Sequence, residues 1–260
     1  MEVNFKRDGL KLNAELIKPK DEKTFDLLIL FEGLRGDHTH ATAKGVADEV
    51  NKNGFATLNL DFESRGKSDG AFSDMTLLGQ LLDAAAALKY AQSITGVKKI
   101  YLAGHSTGGL VAPLLAGYFH DQIDGLILIS PALSAIKDAR KGNMFGKKFD
   151  PNHVPDYISL PTSNKISKIQ YTEEFNFNGF YIRQLQSLPI YHIAHLYTGP
   201  VLLLHAENDE EVPYQSSYWF RGMFEDSKLY FIKGATHGFK EPGVATKAGK
   251  YVAKFMKDNE

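Results

Sequence analysis

The sequence predicts an α/β fold in which a mostly parallel, eight-stranded sheet is covered by helices on both faces. Two observations support this prediction. Short apolar runs alternate with longer runs that have helical spacing. The apolar runs also lack the polar alternation of a sheet with one wet face, which is typical of parallel strands buried on both sides. The 260 residues are enough for one large domain of this kind.

The predicted elements follow one another in a regular order. Residues 3–5 and 10–17 predict a hairpin, which we expect at an antiparallel edge of the sheet. Six further strands are predicted at 26–31, 55–60, 100–103, 126–130, 201–205 and 229–232. Helices are predicted at 43–53, 75–91, 109–116 and 244–256. The first of these helices stops at Asn53-Gly54, a sequence typical of a C-cap.

The stretch from 131 to 188 breaks this rhythm. It contains Lys, Asn, Pro and aromatic residues without a strong period. So long a stretch without sheet strands, inside a regular α/β chain, is usually functional. Because it directly follows a strand, we expect it over the carboxyl ends of the sheet, where ligands bind in such folds. We therefore predict a core of 1–130 and 189–260 and an inserted lid of 131–188.

Composition narrows the classes of function. The chain is 43% hydrophobic and 23% charged, with a formal net charge of −1, which does not favour nucleic acid or an anionic membrane as a partner. It has no cysteine, which excludes disulfides, thiolate catalysis and cysteine-based metal sites. The first residues lack the apolar core of a signal peptide, and no apolar run approaches the ~20 residues of a membrane span. We expect a cytoplasmic protein.

The most informative motif is Gly104-His105-Ser106-Thr107-Gly108, a G-x-S-x-G pattern. A predicted strand leads into it and a predicted helix leads out. A serine on a sharp turn between a strand and a helix is a nucleophile elbow, in which the glycines relieve steric collisions around a strained residue. The alternative is a Gly/Ser-rich turn without chemistry. The flanking strand and helix favour the elbow.

A serine nucleophile needs a base, and the base needs an acid that orients it. In folds with this elbow the chain order is Ser, acid, His. His237 follows the last strand on a glycine-flanked loop and is therefore the predicted base. We expect His105, inside the elbow, to point away from the position of the base. His205 ends a strand, where packing or capping is the simpler interpretation.

The predicted acid lies in the loop after the strand at 201–205, which contains four carboxylates. Asp209 is favoured because it lies in the middle of that loop. Glu210 and Glu211 are expected in the first turn of a helix starting at Val212-Pro213, where negative charge suits the helix dipole. Glu207 is expected to cap or pair elsewhere.

Acyl transfer also requires donors for a developing oxyanion. The backbone N–H of Thr107, directly after the nucleophile, is one predicted donor. The other is the backbone N–H of Leu34, in the loop that follows the strand at 26–31. Both assignments rest on position, because backbone donors place little demand on the side chain.

With these motifs in order along nearly its whole length, the chain resembles the α/β-hydrolase superfamily. Within it, the chain is most similar to bacterial cinnamoyl/feruloyl esterases, on the Gly-His-Ser-Thr-Gly-Gly run at 104–109, the turn at 60–70 and the insertion that begins at Ser130-Pro131-Ala132. The resemblance implies hydrolysis of hydroxycinnamic esters. It also implies lid contacts to the phenolic ring, for which we select Asp138 and Tyr171. A solvated charge and a packing aromatic are the alternatives for these two residues.

The chain departs from the family pattern at two positions. Glu32-Gly33 stands where the glycine loop normally begins His-Gly, and Ser64-Arg65-Gly66 stands where Gly-His-Gly is frequent. Both departures fall at the ends of strands that we expect to be neighbours. We therefore predict that Glu32 and Arg65 form an ion pair near the floor of the site.

The leading hypothesis is a serine carboxylesterase that acts on a small-molecule ester and requires no metal or organic cofactor. An amide hydrolase resembling acylaminoacyl-peptidases and a catalytically silent ligand-binding member remain alternatives. An interaction module is a third, for which the aromatic residues Tyr214, Tyr218, Trp219 and Phe220 would supply a surface. Their near-helical spacing is more typical of a helix packing face. Acyl preference stays open, as does a homodimer.

Overall fold

The computed structural model describes residues 1–20, 22–160 and 175–260. Its strands are β1 Glu2–Arg7, β2 Leu10–Ile17, β3 Phe25–Phe31, β4 Ala56–Asp61, β5 Val97–His105, β6 Gly125–Ile129, β7 Asn143–Met144, β8 Lys147–Lys148, β9 Tyr157–Leu160, β10 Phe175–Asn178, β11 Val201–Ala206 and β12 Ser227–Ile232. Its α-helices are α1 Ala41–Lys52, α2 Leu77–Gln92, α3 Gly108–Tyr118, α4 Ser134–Arg140, α5 Gly179–Ser187, α6 Ile190–Ala194, α7 Gln215–Arg221 and α8 Val244–Asp258.

Eight strands form one sheet in the order β1-β2-β4-β3-β5-β6-β11-β12. The strands from β4 to β12 in this order pair in parallel, whereas β2 pairs antiparallel with both β1 and β4. The predicted mostly parallel, eight-stranded α/β-hydrolase sheet with an antiparallel hairpin at one edge is confirmed.

Alternating side chains explain why strands such as β3 are apolar throughout. Leu27 and Ile29 pack in a core that contains residues of α2 and α3. Leu28 and Leu30 point to the other face and join a second core with residues of α1 and α8. Because successive side chains of a strand alternate between faces, a strand with helices on both sides needs apolar residues at every position.

The helix boundaries follow local signals. Thr76 precedes α2, and its side chain accepts a hydrogen bond from the Gly79 N–H, as an N-cap residue does. After α1, Gly54 has φ of 88°, the left-handed conformation that glycine adopts most readily. Both helices therefore begin or end within two residues of where the sequence predicts.

The described part of the stretch 131–188 adds no strand to the large sheet. It contains α4, α5 and two small antiparallel pairs, β7 with β8 and β9 with β10, and α6 follows it before β11. Gln184 on α5 connects it to the core, because its Oε1 accepts the N–H groups of Leu77 (2.8 Å) and Leu78 (3.2 Å) at the start of α2. These N–H groups have no partner within their own helix, so Gln184 serves as a cap supplied from the insertion.

Candidate active site

Ser106 lies on the turn between β5 and α3. Its φ is 54°, in the left-handed region that non-glycine residues rarely adopt. Its N–H donates to the carbonyl of Ile129 on β6 (3.0 Å), which ties the turn to the neighbouring strand. A Cβ at Gly104 would overlap the carbonyl oxygen of Gly108, so the turn requires glycine there. The local structure is that of a nucleophile elbow.

His237 lies on the loop between β12 and α8, with its side chain directed at the elbow. Its Nε2 lies 2.9 Å from Ser106 Oγ. Its Nδ1 lies 3.0 and 2.9 Å from the two carboxylate oxygens of Asp209. The structure thus brings together the three side chains that the sequence predicts, with the imidazole between the hydroxyl and the carboxylate. A neutral His237 protonated at Nδ1 can accept the Ser106 proton at Nε2.

Asp209 is held by the backbone of its own loop. Its Oδ1 accepts the N–H groups of Glu211 (3.1 Å) and Val212 (2.8 Å), and its side chain is 2% exposed. The expected helix start at Val212 is wrong, because α7 begins at Gln215. Since the Asp209 carboxylate takes these two N–H groups, residues 209–212 form a turn rather than a first helical turn, and Glu211 lies in that loop.

Two further carboxylates lie beside the imidazole. Glu210 Oε2 accepts the backbone N–H of His237 (3.3 Å), and Glu211 Oε2 lies 3.9 Å from His237 Nε2. Burial disfavours a charged His237, but the hydrogen bond to Asp209 and the charges of Asp209, Glu211 and Glu210 together outweigh it and raise the pKa of His237. Burial likewise disfavours ionised Asp209, yet its hydrogen bond with His237 lowers the pKa of Asp209.

Glu207 bonds elsewhere, as expected. Its carboxylate accepts the N–H of Gly234 (2.9 Å), so it links the acid loop to the turn after β12. This contact leaves Asp209 as the carboxylate of the loop that meets His237 Nδ1.

Two residues outside the predicted site, His205 and Ser130, hold the acid loop through hydrogen bonds. The sequence predicts this role for neither of them. His205 is fully buried; its Nε2 donates to the Val212 carbonyl (3.1 Å) and its Nδ1 accepts from Ser217 Oγ (2.7 Å). Burial lowers the pKa of His205, which keeps the ring neutral. Ser130 Oγ accepts the N–H of Ala206 (3.1 Å). Both residues stand at or directly after the carboxyl ends of strands, and this position is the sequence signal by which they could have been found.

The loop after β3 lies against the nucleophile. A Cβ on Gly33 would come within 2.9 Å of Ser106 Cβ, so any side chain there would displace the serine. The next residue, Leu34, has its carbonyl held by two N–H groups of Arg65, from Nε (2.9 Å) and a terminal nitrogen (2.6 Å). Thr107 is 5% exposed and precedes α3. The oxyanion role of the Leu34 and Thr107 N–H groups stays a prediction.

The predicted ion pair between Glu32 and Arg65 is wrong. Glu32 Oε2 lies 3.2 Å from His105 Nδ1 and 3.4 Å from His40 Nδ1. Arg65 instead donates to the carbonyls of Leu34 and Ser64, and its guanidinium stacks 4.3 Å above the Phe72 ring. Although β3 and β4 are neighbours, Arg65 follows a turn in which Ser64 has φ of 66°, and this turn aims it at the glycine loop rather than at Glu32.

His105 also differs from expectation, because its ring does not point away from the base. Its Nε2 lies 2.8 Å from the backbone carbonyl of His237, and the two ring centroids are 4.9 Å apart. His105 and Glu32 are nearly fully buried. Burial opposes ionisation of Glu32, but hydrogen bonds from His105 and His40 hold the pKa of Glu32 well below its usual range.

Two groups of side chains have the composition of metal ligands. One is Glu32, His40 and His105, and the other is Asp37, His38 and Asp61. Within each group the ligand atoms lie within 4.8 Å of one another. Asp61 is already engaged, because its carboxylate accepts the N–H of His38 (2.8 Å) and the side-chain amide of Asn13 (2.8 Å).

The two lid residues selected from the resemblance have different outcomes. Asp138 lies on α4 and is half-buried, and no described side-chain contact links it to Ser106. Tyr171 lies outside the described residues. The lid contacts therefore stay predictions.

The predicted aromatic packing face is only partly correct. Phe220 is fully buried, whereas Tyr214, Tyr218 and Trp219 are 51%, 47% and 37% exposed. Trp219 and Tyr218 line a surface cavity of about 520 Å³, over which Lys137 places its ammonium 5.6 Å from the Trp219 ring. This cavity does not include the Ser106 side chain.

No helix in the described ranges combines the length and the hydropathy that a membrane span requires.

Comparisons with known proteins agree with this architecture. The sequence model of the family described as serine aminopeptidase, S33, matches residues 22–175. The solved structure of Est1E from Butyrivibrio proteoclasticus with ferulic acid bound is 34% identical, with a TM-score of 0.90 over 99% of this chain and 98% of that one. The predicted resemblance to esterases of the α/β-hydrolase superfamily is confirmed.

Two more distant relatives extend the comparison. Lysophosphatidylserine lipase ABHD12 of Danio rerio is 29% identical over 214 residues, which cover 80% of this chain. The chain spans about half the length of that relative. Alpha/beta hydrolase domain-containing protein 10 from mouse is 18% identical with a TM-score of 0.73 over the full length of both chains, which supports the fold.

Proposed function

The chain belongs to the serine aminopeptidase S33 family of α/β-hydrolases, and from this premise we propose that it is a serine carboxylesterase. It hydrolyses small carboxylic esters through an acyl-enzyme. The observation that carries the proposal is the hydrogen-bonded line from Ser106 Oγ through His237 to Asp209, with heavy-atom distances of 2.9 to 3.0 Å. This is the arrangement that converts a serine hydroxyl into a nucleophile.

The proposed reaction has two halves. Ser106 Oγ attacks the ester carbonyl carbon while His237 Nε2 takes the hydroxyl proton, and the backbone N–H groups of Thr107 and Leu34 stabilise the resulting oxyanion. His237 then returns the proton to the leaving alcohol as the C–O bond breaks. Water attacks the acyl-enzyme by the same route and releases the acid. Asp209 holds the His237 tautomer and stabilises the imidazolium.

For the acyl group, we propose hydroxycinnamoyl or short acyl esters. Two findings support this choice: the sequence motifs at 60–70 and 104–109, and the similarity over 99% of the chain to Est1E, which was solved with ferulic acid bound. In this proposal Asp138 on α4 makes a polar contact to the phenolic ring. The segment from 131 to 188 is proposed as the lid that selects the acyl group.

The mechanism is tested with p-nitrophenyl acetate. The wild-type chain is expected to turn over, and Ser106→Ala is expected to lose about 10⁴-fold or more of kcat, since removing the nucleophile leaves only binding and oxyanion stabilisation. Ser93→Ala, at the exposed end of α2, is the matched control and should retain wild-type rates. Retained turnover in Ser106→Ala would contradict the mechanism.

A substrate panel separates the remaining alternatives. Methyl ferulate, p-nitrophenyl butyrate, an aminoacyl p-nitroanilide and a lysophospholipid represent hydroxycinnamoyl, short acyl, amide and lipid substrates. We expect the highest kcat/KM for one of the first two. A higher value for the anilide would favour the amide hydrolase. A fluorophosphonate probe should label Ser106; absence of labelling in a folded chain would favour a silent ligand-binding protein.

A further inference from the structure

Glu32 is a buried carboxylate directly behind the proposed catalytic residues. It follows β3 and is 3% exposed. Its Oε2 lies 3.2 Å from His105 Nδ1 and 3.4 Å from His40 Nδ1, and it also accepts the N–H of Gly33 at 3.2 Å. A buried carboxylate without a compensating charge is strongly unfavourable, so this cluster must supply one.

The hydrogen bonds of His105 decide where the compensating proton lies. His105 Nε2 is 2.8 Å from the carbonyl oxygen of His237. Because a carbonyl oxygen only accepts, Nε2 must carry a proton. The Nδ1 atom lies 3.2 Å from Glu32 Oε2, so one proton lies between these two atoms and joins them in a buried hydrogen bond.

The position of His105 in the chain links its contact with Glu32 to both Ser106 and His237. His105 is the residue immediately before Ser106, and it bonds the backbone of His237. It thus connects the nucleophile turn on β5 directly to the histidine loop after β12, two segments that come together only in the folded chain.

We propose that Glu32 is a positioning residue that acts through His105 to hold the backbone of His237 in register with Ser106. The inference rests on the proposed function, since it concerns the same serine and histidine. His40 is the secondary partner of Glu32: its side chain is 22% exposed, its Nδ1 is farther from the carboxylate, and its ring stacks on His105 at 6.0 Å. Phe239 closes the other side of the His105 ring, edge-on at 6.0 Å.

The first test is Glu32→Gln, which keeps the shape and removes the charge. We expect kcat for p-nitrophenyl acetate to fall about 10- to 100-fold, because small misplacements of reacting groups have effects of this size. KM should stay within about twofold of wild type. Asp26→Asn, a buried carboxylate near the start of β3 that pairs with Lys98, is the matched control, with an expected effect on kcat below about threefold. An unchanged kcat in a folded Glu32→Gln variant would overturn the proposal.

A double-mutant cycle asks whether Glu32 acts through His105. His105→Phe keeps a ring and removes both nitrogens. If the effect of Glu32 passes through His105, the double variant should be no slower than His105→Phe alone. Multiplicative losses in the double variant would overturn the proposal, since the two residues would then act independently.

Two further measurements test the cluster itself. The ¹⁵N signals of the His105 ring should differ between wild type and Glu32→Gln, and identical signals would overturn the proposal even if the chain hydrolyses no ester. Dialysis against EDTA should leave activity unchanged. A loss of activity that Zn²⁺ restores would mean that Glu32, His40 and His105 bind a metal, which would also overturn the proposal. Absence of turnover with His105 signals that depend on Glu32 would instead count against the proposed function alone.

Discussion

The two sides of Ser106 are built in different ways. On the histidine side, ionisable side chains contact one another: Asp209 bonds the His237 ring and Glu32 bonds the His105 ring, while Glu210 accepts the backbone N–H of His237. On the side of the glycine loop, backbone groups and packing prevail. Gly33 lies against the serine, and the carbonyl of Leu34 is fixed by the permanently charged Arg65.

The two sides of Ser106 should therefore respond differently to pH and salt. The protonation of His237 depends on the charges around it, so the histidine side should respond to pH and salt. The guanidinium of Arg65 stays charged across the working range, and its acceptor is a neutral carbonyl. The contact between Arg65 and the Leu34 carbonyl should therefore respond to shape rather than to pH. Three substitutions test this contrast.

The largest effect is expected from Asp209→Asn on the histidine side. An amide in this place donates to His237 Nδ1 and favours the tautomer that cannot accept the Ser106 proton. We expect kcat to fall about 10⁴-fold with little change in KM, as measured by steady-state kinetics. Glu207→Gln, which affects only the bond to Gly234, is the control and should remain within a few-fold of wild type. A comparable loss in both variants would contradict the assignment of Asp209.

An intermediate effect is expected from Arg65→Met on the loop side. The Leu34 carbonyl then loses both donors, and a buried acceptor without a partner costs about 1–3 kcal/mol of unfolding free energy, measured by urea denaturation. We expect kcat to fall about tenfold while the pH dependence keeps its shape, because no group that titrates near neutral pH is removed. A shifted acid limb in this variant would break the contrast between the two sides.

The smallest effect is expected from Glu211→Gln. Only neutral His237 can act as the base, and its pKa is raised by Asp209, Glu211 and Glu210 against the effect of burial. Activity should therefore be lost as pH falls through a value above the usual ~6.5 of histidine. Removing the exposed Glu211 charge should move this acid limb of kcat/KM to lower pH by a few tenths of a unit.

Added salt provides a second test of the shift that Glu211→Gln should cause in the acid limb of kcat/KM. Because the Glu211 side chain is 59% exposed, its influence should shrink when added salt screens it. Glu225→Gln, a distant exposed carboxylate, should leave the acid limb in place. A shift towards higher pH in Glu211→Gln would contradict the assigned sign.

Sequence reasoning reached the elements and the serine, acid and histidine because they depend on order along the chain. The apolar runs place Ser106, Asp209 and His237 after three different strands, and parallel strands bring their carboxyl ends to one edge. The direction of a side chain within a turn is not fixed in this way. Glu32 and Arg65 follow neighbouring strands, yet the left-handed Ser64 turns Arg65 towards Leu34. The expected direction of the His105 ring was also wrong. Its partners, Glu32 and the His237 carbonyl, come from two loops that are distant in the sequence.

The left-handed backbone of Ser106 has a consequence for how the protein can change over generations. A side chain at φ of 54° is strained by about 1–3 kcal/mol relative to glycine, which adopts this conformation freely. A Ser106→Gly replacement would relieve the strain while removing the hydroxyl. If Ser106 is the nucleophile of the proposed esterase, the replacement that stabilises the fold at this position removes activity, so selection for turnover would keep a serine there.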